Sequence, residues 1–477
     1  MNYSKYLFFF AALIIFSTPF AGAGAIADPA GTVRSYYVSA SGSDENNGLS
    51  ELFAFRTLAK AVEAASNGNF KRVTVIGVLD NETENSGAKI NIWNMDSAFS
   101  INDSGGAEII ITGRPGAGAA LKGGDGKRVI SILGNSNIRF ENILITGGST
   151  DAEGGGIYAI NGTSVTLAEG AVLSGNFSCE GGGIYIEDGS LTLLANAAII
   201  NNAVSTDEGG GAVVVSGVLV MADNSKISGN SGGGLIVIDG EGSMKDNSVI
   251  ADNRCEYDGG GACIYMSDFT MRGQSQISNN QAGRNGGGIW MGEGMLLIFE
   301  EASINGNEAS VDGGGVNLEY GSLVLRGFAD ISGNKSGDDG GGIHNYGGSV
   351  LLDENAILAD NESTCGGGLC IEYYASAVIR GEVEVLGNSA IGPQGGGGLC
   401  AGYNSTIHMT GGVVADNIST RGGGVYIERA NFIFDGGYIF DNEAESGGGI
   451  YAAAKSFLRI GEEAVIEDNK PNNTEQE

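Results

Sequence analysis

The chain has 477 residues, 84 of them Gly and five Pro, with a formal charge of −32 at pH 7. No Gly-X-Y period runs through it, which excludes collagen, and a hydrophobic share of 42% is too high for a disordered polymer. The acidic excess excludes nucleic acid and anionic membrane surfaces as natural partners.

In chain order, the first 25 residues read as an export signal. Lys5 gives a positive start, Leu7 to Phe16 is an apolar run too short to span a bilayer, and Ala21-Gly22-Ala23 and Ala23-Gly24-Ala25 are small-residue cleavage sites. Export to the cell surface, the medium or the periplasm is therefore expected, with no transmembrane segment in the mature chain. Residues 36–150 hold strand-like runs at Val73 to Leu79, Glu108 to Thr112, Val129 to Leu133 and Ile138 to Thr146. Before them, Leu58, Ala61, Val62 and Ala65 share one helical face and Gly68 can end the helix, a cap for the first coil of whatever follows.

From residue 151 a Gly triplet recurs twelve times, beginning at Gly154, Gly181, Gly209, Gly232, Gly259, Gly286, Gly313, Gly340, Gly366, Gly396, Gly422 and Gly447. An Asn keeps the same beat from Asn176 to Asn469. One repeat reads as Val316 to Glu319, a turn at Tyr320-Gly321, Ser322 to Leu325, and a third strand from Ile331 toward Asn334. Three short strands in about 27 residues leave no room for a helix, and a propeller blade needs about 40. The expected fold is all-β: a right-handed, three-sided parallel β-helix of twelve coils over 151–469, closed by a short N-terminal helix and followed by a polar tail, 470–477. The residue after each triplet is always apolar, so this column faces the core. The next column is mixed and is expected to face solvent. The Asn column suits an αL or Asx-turn corner and amide stacking from coil to coil.

These motifs carry a resemblance. Tyr36-Tyr37-Val38-Ser39-Ala40-Ser41-Gly42-Ser43-Asp44, Asn47-Gly48 and Phe55-Arg56-Thr57-Leu58-Ala59-Lys60-Ala61 resemble the N-terminal segment of bacterial pectate-lyase-like β-helix proteins. The Gly-Gly-Gly-Ile repeats with Ile-Ser-Gly-Asn resemble polymorphic outer-membrane proteins and adhesin-like surface proteins. The resemblance implies the fold and an extracellular setting; its members include enzymes and non-enzymatic surface proteins. The chain departs from the surface-protein pattern in using Ile-x-x-Asn or Val-x-x-Asn for Phe-x-x-Asn. It also shows no anchoring barrel or sorting tail after Asn469.

Candidate chemistry is sparse. Trp290, Asn317, His344 and Cys370 share the outward column of successive coils, with Glu319, Tyr346 and Glu372 two residues on. Glu319, Glu372 and His344 are the candidate catalytic groups. The two carboxylates lie two coils apart, roughly 10 Å, slightly wide for inverting hydrolysis. Asp338-Asp339 before His344 resembles a polygalacturonase motif only superficially, because the intervening triplet belongs to the repeat. Trp290, Asn317, Tyr346, Tyr158, Tyr185, Tyr426 and Tyr451 are candidate binding residues for glycan or protein. Glu153, Glu180, Glu208, Asp312, Asp338 and Asp339 collect before triplets, making calcium the candidate cofactor against a solvated turn. The six Cys show neither Cys-x-x-Cys nor His spacing for zinc, so stacked free thiols are expected. The leading expectation is a non-enzymatic, adhesin-like binding protein for a polysaccharide or a neighbouring surface protein. The alternatives are a lyase or hydrolase of acidic polysaccharide and a structural envelope component. A C-terminal coil without a cap adds end-to-end self-association.

Overall fold

The computed structural model describes residues 34–80, 97–102 and 106–477. The export signal lies outside the described residues. Among the described residues no helix is long and apolar enough to cross a membrane.

Residues 35–477 form one unit, a right-handed parallel β-solenoid. Its first ladder has 15 strands, from Ser97–Asn102 and Arg128–Leu133 through the twelve post-triplet strands to Thr474–Gln476. The second sheet has 28 strands and carries two segments per coil, such as Ser322–Leu325 and Asp330–Ser332. In the last three coils the two segments fuse into single long strands, Thr406–Ala415, Asn431–Phe440 and Phe457–Glu467.

The third side escaped the sequence reading. It is an eight-stranded ladder running from Arg254–Cys255 to Glu443–Ser446, made of the few residues between each Asn and the next triplet. Segments as short as Lys335–Ser336 are too brief and polar for alternation to show.

The N-terminal helix forms as expected. Leu58–Asn67 buries Leu58, Ala61, Val62 and Ala65, its N-cap Thr57 accepts the Lys60 N–H, and it packs against Tyr36–Ser39, Arg72–Ile76 and Ser97–Asn102. Asp44 ties its start by accepting the Arg56 and Thr57 N–H groups and the Thr57 hydroxyl. The polar tail departs from expectation. Thr474–Gln476 adds a parallel strand to Ile450–Ala452, and Asn473 Oδ1 accepts the Asn469 amide. The reason is continuity of the two ladders, which reward three more paired residues even without an apolar pattern.

Every residue directly after a triplet is buried, from Ile157 to Ile450. The αL residue at the Asn corner is not the repeated Asn but the one before it, for example Asn279, Asp360 or Gly333. That leaves the repeated Asn side chain free to turn inward. Each one donates its Nδ2 to the Oδ1 of the next coil's Asn and to a main-chain carbonyl. That next Oδ1 also accepts the backbone N–H, as Asn334 does for Asn307 at 2.9 and 3.0 Å. The chain of amides is continuous from Asn176 to Asn469 and buried throughout. The triplet permits this spacing: a Cβ on Gly314 would lie 2.5 Å from the Gly341 carbonyl oxygen.

Asn334→Ala would remove, in a dry interior, the acceptor of the Asn307 backbone N–H and the amide donor to the Ile304 carbonyl, while Asn307 Nδ2 keeps the Ile277 and Asn305 carbonyls. Each such group costs ~1–3 kcal/mol. The variant is expected to lose ~2 kcal/mol or more, read as a lowered melting temperature, whereas the exposed Asn247→Ala should melt as the parent does.

Candidate functional site

The outward column is the main correction to the sequence reading. Trp290, Asn317, His344 and Cys370 do align on successive strands. Trp290 is half-buried, but Asn317, His344 and Cys370 are buried, as are Cys400, Tyr426 and Tyr451. The cause is the corner. The first Gly of each triplet takes a positive φ, 64° at Gly366, and turns the chain back over the second residue of its own strand. A Cβ on Gly366 would sit 2.7 Å from the Cys370 Cβ. From Asn317 to Tyr451 this column therefore lies in a covered groove, while Tyr158, Tyr185, Ile236, Cys263 and Trp290 stay half-buried.

His344 is consequently not a surface base. Its Nδ1 faces Asn317 Oδ1 at 2.8 Å and lies 4.0 Å from Asp312, and burial pulls its pKa below the ordinary histidine range. Glu319 accepts from Trp290 Nε1 at 3.3 Å. Tyr158 stacks on Tyr185 with centroids 5.8 Å apart, and Tyr426 stacks on Tyr451 at the same distance. Burial, with Glu187, Glu180 and Glu153 nearby, pushes Tyr185 up to about 12. The Tyr426–Tyr451 pair is inside, packed with the Cys365, Cys370 and Cys400 cluster, so those two rings form no binding face.

The exposed aromatic feature lies one step along the chain, at the corner that ends each first strand. Tyr320, Tyr346, Tyr373 and Tyr403, from four successive coils, form one file. Centroid separations are 5.6, 4.3 and 5.0 Å. Tyr320 is 64% exposed, Tyr373 43% and Tyr403 47%. Other coils put Asn161, Asp188 or Asp239 at this corner, residues that tolerate the αL conformation it requires. Tyr320, Tyr373 and Tyr403 take it with φ of 60°, 55° and 48°. In the eighth coil the corner is Gly347 and the ring comes from Tyr346. A Cβ on Gly347 would sit 2.8 Å from the Tyr320 ring, so Gly keeps the file continuous. Asn345, a buried amide in an otherwise apolar inward column, holds that corner by accepting the Gly348 N–H. Only Tyr346 of this file was among the sequence candidates. Tyr320 was read as a turn residue, and a ring recurring at a corner that Asn or Asp takes in three other coils was the available signal.

Beneath the file lies a small cavity of about 60 Å³, lined by Asp339, Cys365, Glu372, Gln394, Cys400, Tyr403, Tyr426, Glu428 and Arg429 among others. Burial raises Glu372 to about 7, with Cys365, Asp312 and Asp338 adding to it. Asp339 rises to about 9 through burial and then Cys365, Glu372, Asp338 and Asp312. The Cys365 and Cys400 sulfurs are 2.9 Å apart.

Two of the acids before the triplets, Asp258 and Asp312, have a structural role. Asp258 Oδ1 accepts the Asn285 N–H at 2.9 Å, Asn285 Oδ1 accepts the Asp312 N–H at 3.2 Å, and Asp312 Oδ1 accepts the Asp339 N–H at 3.0 Å. This second Asx ladder mixes Asp and Asn, so an amide serves as well as a carboxylate. Asp338 is exposed and contributes its main-chain carbonyl to Thr364 and Cys365. Glu153 and Glu180 lie half-buried near the Cys179 thiol, which burial and these two charges push up. The Glu208 backbone pairs with Glu180; its side chain lies outside the described residues.

Residues 128–301 match the family model described as a right handed beta helix region. That match and the parallel sheets beyond it agree with the fold that the pectate-lyase-like resemblance implied. No curated protein matches the chain.

The Asx ladder makes a prediction that separates it from a calcium ladder. Asp312→Asn keeps the acceptor for Asp339 N–H and should melt within ~0.5 kcal/mol of the parent. Asp312→Ala should lose ~1 kcal/mol. If chelation lowers the melting temperature of the parent but not of Asp312→Asn, the carboxylate holds a cation instead.

Proposed function

We propose that this chain is an exported, non-enzymatic binding protein that lays a glycan chain along the file Tyr320, Tyr346, Tyr373 and Tyr403. The observation that carries this reading is the backbone conformation under the rings. An αL conformation costs a bulky L-residue ~1–2 kcal/mol, and three of the four rings sit on such a corner. Stability alone favours Asn, Asp or Gly there, as at Asn161, Asp188 and Asp239, although Ser216, Met266 and Arg429 also take the corner singly. Strain kept at an exposed, continuous aromatic surface points to use of that surface.

Rings repeating at coil spacing, one pair edge-on and the others tilted or stacked, offer a continuous aromatic surface to successive sugar units, and Glu428 and Arg429 beside Tyr403 supply polar partners. The charge of −32 favours a neutral or amino-sugar polymer over a polyuronate. One pair supports a hydrolase as the second reading. Asp339 and Glu372 bring carboxylate oxygens within 4.8 Å of each other, and both are raised. Against it, a cavity of about 60 Å³ is too small for a sugar ring.

Glycan-array binding followed by calorimetry tests the proposal. Tyr373→Ala should weaken a bound neutral glycan about tenfold, near 1.4 kcal/mol. The exposed Tyr257→Ala, on another coil, should not. Tyr373→Gly should lose the glycan yet melt no lower than the parent, because it relieves a φ of 55°. A glycan held equally by the parent and Tyr373→Ala sinks the file as the site. Turnover of any bound polymer by the parent protein would favour the hydrolase.

A further inference from the structure

We propose that Cys365, Cys370 and Cys400, with one carboxylate from Asp339 or Glu372, form a tetrahedral zinc site that clamps the ninth and tenth coils together. The three sulfurs lie within 4.8 Å of one another and all three residues are buried. A second triple shares a member: Asp339, Cys370 and Glu372 also bring their ligand atoms within 4.8 Å. Three thiols and two carboxylates thus converge at one point of a chain that is otherwise a regular solenoid. The small cavity described above is walled by four of these five residues.

Three features distinguish the cluster from packed thiols. First, its members come from different elements that the fold brings together: Cys365 ends Glu362–Cys365 on the third side, while Cys370 and Cys400 are paired neighbours in the first ladder. Second, neither the Asp339 nor the Glu372 carboxylate accepts a hydrogen bond or pairs with a cationic side chain among the described residues. Partly buried carboxylates without partners are costly, and a bound cation would supply both with one. Third, the Cys365–Cys400 separation of 2.9 Å is well beyond a disulfide of about 2.04 Å. It is short of the spacing of about 3.8 Å that two sulfurs adopt around zinc, with Zn–S near 2.3 Å. A shift of just under an ångström separates the pair from either spacing, and only the metal also uses Cys370 and a carboxylate.

Sulfur-rich, closed tetrahedra suit zinc in a structural role. The clamp would tie the covering segment Ser389–Gly395, whose Gln394 closes the cavity, to the coils that carry Tyr373 and Tyr403. The inference stands apart from glycan binding, because it concerns metal content and would hold if no glycan bound.

The test uses the full chain, reduced with a phosphine, and zinc or cobalt(II) alone. Native mass spectrometry is expected to show about one zinc per chain. Cobalt(II) should give sulfur-to-metal charge-transfer absorption with a tetrahedral visible band. Cys370→Ser and Cys400→Ser should each cut uptake at least tenfold, while Cys179→Ser should leave it intact. Of Asp339→Asn and Glu372→Gln, the one that weakens binding at least tenfold identifies the oxygen ligand. A reduced parent that takes up no metal overturns the proposal without reference to any variant's folding. So does uptake that survives both Cys370→Ser and Cys400→Ser. Equal affinity in both carboxylate variants overturns the assignment of an oxygen ligand.

Discussion

The structure depends on one constraint: each coil must lie directly over the last, at the spacing of a parallel sheet, at every corner as well as along every strand. Strands manage this with main-chain hydrogen bonds. Corners do not, because a turn leaves polar groups unpaired inside a stack that water cannot enter. The buried Asn column solves the problem at one corner. Its Oδ1 takes two N–H groups and its Nδ2 satisfies a carbonyl and the next amide, so the corner continues the sheet through side chains. The Gly triplet solves it at another by removing the Cβ atoms that would strike the coil above. With both corners fixed, register is fixed, and each position along the coil becomes a column that runs the length of the rod.

Columns explain where freedom remains. The inward column of the first ladder stays apolar except at Asn345, which spends its Oδ1 on the Gly348 N–H. The corner that ends each first strand is different. Its one demand is a positive φ, and any side chain there points away from the core. Asn, Asp, Ser, Met, Tyr, Gly and Arg all occur at it, from Asn161 to Arg429. Function can vary at that column without disturbing the stack, and the tyrosine file has grown there. The strain of a ring at αL is small beside the ladder hydrogen bonds of four coils, so the scaffold tolerates it.

The fold was legible because its signals are periodic. The triplets, the Asn beat and the apolar first column each identify the same coil, and Leu58, Ala61, Val62 and Ala65 identify the cap. The features that were not legible share a physical origin: they arise between coils and not within one. Alternation told correctly that Asn317, His344 and Cys370 point away from the core. It could not tell that the αL Gly before them folds the corner back over the column and removes it from solvent. The third ladder was hidden because two residues per coil, such as Gln281–Ala282, make a strand only through their neighbours above and below. The thiol cluster joins positions 365, 370 and 400, a spacing that matches no linear metal motif, because the solenoid and not the local sequence supplies the proximity.

The position of that cluster follows from the one stretched coil. The triplets at Gly366 and Gly396 are 30 residues apart, where neighbouring intervals are mostly 26 or 27. The extra residues fall in Ser389–Gly395, the longest strand of the third side. Its register slips against Glu362–Cys365, so that Cys365 pairs with Gly395 instead of continuing in step from Ser363 and Ala390. The slip carries Gln394 to the wall of the cavity beside Cys365 and Cys400. A regular coil would run the third side straight past the first ladder. The stretched one covers it, and the covered volume is where thiols and carboxylates meet. The irregularity of the ninth coil thus lies within the span of the tyrosine file, which runs over coils seven to ten. A solenoid that can vary at any level has placed its only long insertion within the repeats, its strained rings and its buried polar cluster together.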